Sequence, residues 1–314
     1  MVNNPYYVED KINLIISNLL YLTILGVPLF YIIGPGPSNL MLLVTCILFI
    51  TLVLKYSLYQ YFNNFFFYSF LAWCIYLIVI SFLSSDYLIS LEHSAPFIRY
   101  SFFILAVFYL TQKFKNFCKN LLIVLLICYI LLTIDSYITL ILQKNLLGFI
   151  NDDSRLSSFF GDEKIMGNFV LIITINIIAL LFYIKSISTK ENFFIIILIL
   201  NSLFLIILSG ERRSLILFII FCTLHLIFYS YSIRKKLIFI FLSIIILITI
   251  FSNNNQIRER FIDLTISDTG LKHFFNQKES EFLKLDELVI FSPIHEIYFT
   301  VAYNMFRENI LFGV

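Results

Sequence analysis

The sequence predicts an all-α, polytopic transmembrane helix bundle, and three observations predict it. Hydrophobic residues make up 60% of the chain and charged residues only 13%, whereas roughly a quarter of an ordinary soluble domain is charged. Mean hydropathy is +0.92. The apolar residues fall into separate blocks of roughly 17 to 23, the length a helix needs to cross about 30 Å of hydrocarbon. These blocks are apolar on all sides and do not alternate, so they satisfy their backbone groups as helices and not as barrel strands.

Taken in order, the blocks give about nine spans. The first, residues 14–33, is too long for a signal-peptide core and has no convincing small-residue cleavage site, so it reads as an uncleaved span. A turn rich in Gly34, Pro35, Gly36 and Pro37 leads to the second, 39–54, and the third is 65–83. The fourth, 97–111, is short and begins near Pro96 and Arg99, as a partly re-entrant segment would. Then come 120–142, 167–184, 193–209, 214–232 and 237–252. Residues 1–252 thus form the bundle with its loops, and residues 253–314 form a polar segment with nine acidic and six basic residues. In that segment Ser292 and Pro293 suit a helix cap and first position. Ile294, Ile297, Tyr298, Val301, Ala302 and Met305 then follow helical spacing, which suggests an amphipathic helix at the membrane boundary or packed on the bundle.

Lysines set the orientation. Lys11, Lys55, Lys113, Lys115, Lys119, Lys185, Lys190, Lys235 and Lys236, with Arg234, occupy alternate loops, which places those loops and the amino terminus in the cytoplasm. Residues 34–38, 84–96, 143–166, 210–213 and the segment after 252 then lie outside. That makes four arginines conspicuous: Arg99, Arg155, Arg212 and Arg213 all fall on the side where basic residues are disfavoured. Either they bind anions or neighbouring acids pair with them; Asp152, Asp153 and Asp162 are close to Arg155 in sequence, and Glu211 adjoins Arg212.

A net charge of +2 gives no argument for nucleic acid as a partner. Cys46, Cys74, Cys118, Cys128 and Cys222 sit almost entirely in apolar blocks with no paired spacing, so they read as small buried hydrophobes and not as disulfides or zinc ligands. His93, His225, His273 and His295 have no second histidine or cysteine at metal-ligand spacing. No metal or cofactor is expected. Asp135, inside or at the end of the fifth span, needs a partner or a wet cavity.

An outward-facing set of arginines at the ends of neighbouring spans suits a phosphate or diphosphate headgroup whose tail lies in the bilayer. The guanidinium is a permanently charged planar fork, and a lysine point charge does not reproduce its geometry. Asp162 and Glu163 are placed either to orient Arg155 or to act as general base, and Phe159 and Phe160 either pack or contact a prenyl chain or sugar.

Three stretches carry a family resemblance: RLSSFFGDEKIMGNF (155–169), LSGERRSLILF (208–218) and HEIYFTVAYNMFRENILFGV (295–314). In order and placement they resemble the O-antigen ligase and O-antigen polymerase superfamily, polytopic glycan transferases of the bacterial inner membrane. The resemblance implies transfer of a glycan from an undecaprenyl-diphosphate-linked donor to a lipid or glycan acceptor at the periplasmic face, in lipopolysaccharide or surface polysaccharide synthesis. By motif position it implies that Arg155 and Arg212 grip the diphosphate, with Arg213 in reserve. Arg99, from its outer placement, is a further substrate-binding candidate, and Asp162 and Glu163 are the catalytic candidates, as orienters of Arg155 or as general base. Family members usually continue past the final FGV into a loop with an essential histidine, so this chain is expected to lack that part. The competing reading is a transporter or flippase of lipid-linked oligosaccharide, which would line its path with charges inside the spans.

Overall fold

The computed structural model describes residues 11–84, 86–150, 155–161, 163–184, 189–229, 233–263 and 293–308. These residues are almost entirely helical, and eight helical segments are long and apolar enough to cross a membrane. The chain divides into two compact units, Met1–Val124 with Asn304–Val314, and Leu125–Tyr303.

The first unit contains α1 (Lys11–Ile33), α2 (Pro35–Tyr56), α3 (Phe65–Leu83), α4 (Tyr87–Ser94), α5 (Ile98–Lys113) and the start of α6 (Phe117–Leu142). Pro35 opens α2, where its missing N–H costs no helical bond, and the Asn64 side chain caps α3 by accepting from the Phe67 amide at 2.7 Å. Helices α1, α2 and α5 bury Leu20, Ile24, Phe49, Leu52, Leu105 and Leu110 against one another. At one end of that contact the Lys113 ammonium donates to Asn13 Oδ1 at 2.8 Å and Ser17 Oγ at 2.9 Å, and Ser17 also bonds the Tyr109 hydroxyl. The short fourth span of the sequence reading is longer in the structure. Helices α4 and α5 form one apolar stretch, Tyr87–Lys113, broken by a 3-10 turn at Ala95–Phe97 that holds Pro96.

The second unit contains the rest of α6, α7 (Met166–Ile184), α8 (Thr189–Leu208), α9 (Arg212–Phe228), α10 (Ile233–Asn253) and the four-residue α11 (Asn255–Arg258). Helix α8 is its centre: Ile195, Leu198, Ile199, Leu203, Leu205, Ile206 and Ile207 are all buried. Polar side chains register α6, α7 and α8 at mid-length. Ser202 Oγ bonds both the Tyr129 hydroxyl (2.9 Å) and Thr174 Oγ1 (2.8 Å), while Asn201 donates to Tyr129 (2.7 Å) and accepts from Tyr137 (2.6 Å). In hydrocarbon such bonds hold helices in place because no water competes for them.

Helix α9 lies in the eighth expected span, 214–232, and has 17 residues, about 26 Å at 1.5 Å per residue. Helix α12 (Pro293–Glu308) confirms the expected terminal helix, and residues 297–307 are exposed throughout.

Candidate functional site

The site lies where four helix ends of the second unit meet around Gly210. Helix α8 ends there at Leu208 and α9 leaves at Arg212, while α7 begins at Met166 and the chain after α10 returns through α11. The last carbonyls of a helix have no partner within it. Here they are met from outside. The Leu156 amide donates to Leu208 O at 3.0 Å, Arg155 Nε to Ser209 O at 3.0 Å and Arg260 Nε to Gly210 O at 2.9 Å. Placing cations at the negative end of α8 is favourable in itself, and each of these arginine bonds uses Nε alone, so neither draws on the terminal nitrogens of the fork.

Gly210 makes this convergence possible. Its φ of +66° is left-handed, and a Cβ there would lie 3.1 Å from Arg260 Cδ and 3.3 Å from Arg155 Cγ and Nε. Both side chains pack on the face that the missing side chain leaves open. Gly210→Ala is therefore expected to cost about 1–2 kcal/mol from the backbone conformation alone, read as a lowered unfolding midpoint in detergent. It is also expected to push both guanidiniums outward.

Glu211 binds the other side of the junction. Its carboxylate accepts from the Gly167 amide at 2.7 Å, the Asn168 amide at 3.0 Å and Ser214 Oγ at 2.8 Å. It thus caps the first turn of α7 from more than forty residues away, supplying both acceptor and negative charge where the helix needs them. The approach requires a glycine at 167, since a Cβ would come within 2.3 Å of Ser209 Oγ and 3.1 Å of the Glu211 carboxyl carbon.

The electrostatics are lopsided. Burial lowers the pKa of Arg155, and Glu211 partly restores it. Burial also lowers that of Arg260, and the charges of Arg155 and Arg212 lower it further. Arg155, Arg212 and Arg260 thus lie within one another's field, with the Glu211 carboxylate acting on Arg155. Like charges held together in a partly desolvated place are costly unless an anion joins them. The arrangement can grip a multiply charged anion with forked donors.

The loop before the site is fixed by Asp135. It is fully buried and accepts from the Leu146 amide at 2.7 Å and from Ser158 Oγ at 2.5 Å; Asn145 Nδ2 donates to Ser158 O at 2.9 Å. The partner expected for this carboxylate is thus the loop that carries Arg155. Asp135→Ala leaves a half-buried amide and a buried hydroxyl unpaired, so a loss of about 3 kcal/mol is expected in detergent melts, and Asp135→Asn should lose roughly half as much.

The structure brings Arg155 and Arg212 together at the Gly210 junction. Arg213 is exposed on the first turn of α9, and Glu163 is exposed in the loop. Asp162, Asp152 and Asp153 lie outside the described residues, so pairing with Arg155 is not described for them. Arg99 belongs to the first unit, where its guanidinium donates to Asn39 Oδ1 at 3.2 Å and lies 5.2 Å from the Tyr100 ring centre. Phe160 is buried and packs edge-on against Phe169 at 5.4 Å, which is core packing; Phe159 is half-buried. His225 stacks on Tyr229 and Phe221 within α9.

Sequence reasoning missed two members of the site. Arg260 is one basic residue in a polar segment, and nothing in its neighbourhood singles it out. Glu211 reads locally as a partner for Arg212, while its carboxylate serves the start of α7. The available signal was a glycine at each helix junction, Gly167 and Gly210.

Comparison of the chain with protein-family models, with curated proteins and with solved structures gave no match.

Proposed function

We propose that this protein is a multi-pass glycosyltransferase of the bacterial inner membrane, of the O-antigen ligase or polymerase type, that takes its glycan from undecaprenyl diphosphate. The observation that carries the reading is the convergence of Arg155, Arg212 and Arg260 on the Gly210 turn. A lipid-linked diphosphate diester carries one negative charge on each phosphorus, and forked guanidinium donors suit such an anion. The start of α9 adds the positive end of its dipole.

Chemistry follows from the leaving group. As the bond between sugar and diphosphate breaks, negative charge grows on the departing oxygen, and fixed forked donors in a low-dielectric setting stabilise it more than they stabilise the bound donor. The chain's own part is to grip and orient that diphosphate. The carboxylate of Glu163 or Asp162, which follow Arg155 in the sequence, receives the proton of the acceptor hydroxyl, and the acceptor is a lipid or a glycan.

Nine spans and an outward site fit together. Helices α8 and α10 both end beside Gly210, so α9 has to carry the chain to the far end, where Arg234, Lys235 and Lys236 begin α10. A basic end belongs in the cytoplasm, which puts the Gly210 end outside and α12 on the outer side with its apolar residues at the lipid boundary.

Two measurements test this. In intact cells, Lys164→Cys should react with a membrane-impermeant maleimide; protection until the cells are opened would place the loop in the cytoplasm and remove the reading. In vesicles holding the purified protein, the lipid-linked donor and an acceptor, glycan should move to the acceptor with no nucleotide sugar present. Movement of donor across the bilayer without transfer would instead identify a flippase.

A further inference from the structure

We infer that Arg260 is a third ligand of the diphosphate, and that the anion ties the segment after α10 to the turn between α8 and α9. This rests on the reading of the Gly210 junction as a diphosphate site. Arg260 lies outside all three stretches that carry the family resemblance.

The segment is built to deliver one side chain. Asn254 Oδ1 accepts from the Ile257 amide at 3.0 Å, which caps α11, and Ile257 is 1% exposed, so the short helix is plugged into the unit. The chain then widens into a single π-type turn, Glu259–Asp263, a rare form of backbone that is frequent at functional sites. Arg260 is the residue so aimed, with Nε on Gly210 O.

Arg155 reaches the same spot from another direction. The two Nε atoms bond successive carbonyls, Ser209 and Gly210, and both side chains pack within 3.3 Å of the position a Gly210 Cβ would take. Two forks thus stand side by side over one glycine, and Arg212 starts the helix two residues on. As caps, the two arginines use Nε alone, on two successive carbonyls. Two forks converging from separate segments suit an anion with two charged centres, each taking its own pair of donors. An anion held there offsets the positive field that Arg155 and Arg212 exert on Arg260.

The test is calorimetric titration of the full chain in detergent with inorganic pyrophosphate, inorganic phosphate and undecaprenyl diphosphate. The wild type should bind pyrophosphate at least about tenfold more tightly than phosphate, and undecaprenyl diphosphate more tightly still, since the tail adds apolar burial. Equal affinity for the lipid and for pyrophosphate would make free diphosphate the ligand. Arg260→Gln should weaken pyrophosphate binding about tenfold or more and erase its preference over phosphate, and Arg260→Lys should fall between, keeping the charge without the fork. Arg258→Gln, exposed on the same segment, should bind as the wild type does. Unfolding midpoints without anion show whether each variant is folded; that of Arg260→Gln should equal or exceed the wild type's, because a like charge has been removed. If Arg260→Gln keeps the wild-type affinity and preference while Arg155→Gln loses them, Arg260 is no ligand and the site stands without it. If no arginine substitution changes pyrophosphate binding, both readings fall.

Discussion

If the proposed transfer is the activity, Arg155→Ala and Arg212→Ala are each expected to lower glycan transfer about a hundredfold to a thousandfold at equal protein level in the membrane, the range found when one fixed donor to a developing oxyanion is removed. Arg155 is held by the Ser209 carbonyl, so its fork is positioned before the donor arrives and no reorganisation is needed at the moment of bond breaking. Its partial burial strengthens the field it exerts. Arg155→Lys should recover only a small part of the rate, because the ammonium keeps the charge and loses the paired donors. The double variant should be little worse than either single one, since residues that act on one leaving group are not additive. Rates within a few-fold of wild type for both alanine variants would show that these guanidiniums do not act on a leaving group and that Arg155 serves only as a cap for α8.

Glu211→Ala has the largest expected effect on stability, about 4 kcal/mol, measured as the loss of unfolding free energy in detergent. Three donors lose a charged acceptor at once, two of them backbone amides in the first turn of α7, and each such bond is worth roughly 1.5–3 kcal/mol when its acceptor is charged. The sum is discounted because water reaches a partly exposed site. Glu211→Gln should lose about half as much, since its carbonyl oxygen still accepts while its amide faces donors. Gly167→Ala should resemble Glu211→Ala, because the new methyl would stand 2.3 Å from Ser209 Oγ and the Ser209–Glu211 turn has to move off the start of α7. A Glu211→Ala protein as stable as the wild type would mean that water caps α7 equally well.

The class of fold was legible because hydrocarbon thickness writes itself into block length. Residues 65–83 were expected as a span and form α3 with those bounds. The reading was weakest at α4, where Ser90, Glu92 and His93 interrupt the apolar run, and where a helix that starts amphipathic and then breaks at Pro96 leaves no block of spanning length. In the site, Arg155 and Arg212 stood out because an arginine is anomalous where orientation rules disfavour it. Arg260 was silent for the opposite reason: in a segment with nine acidic and six basic residues a single arginine carries no anomaly, and only the fold brings it to Gly210. Remote capping by Glu211 was equally hidden, because sequence shows the residues beside a carboxylate and not the helix start more than forty residues away that it serves.

The most direct test of the central claim is retention of lipid by the purified protein, followed by native mass spectrometry with undecaprenyl diphosphate and undecaprenol supplied together. Selective retention of the diphosphate lipid by the wild type, and its loss in the protein carrying both Arg155→Ala and Arg212→Ala, is the predicted result. Equal retention of the two lipids, or undiminished retention of the diphosphate lipid by the double variant, would contradict it.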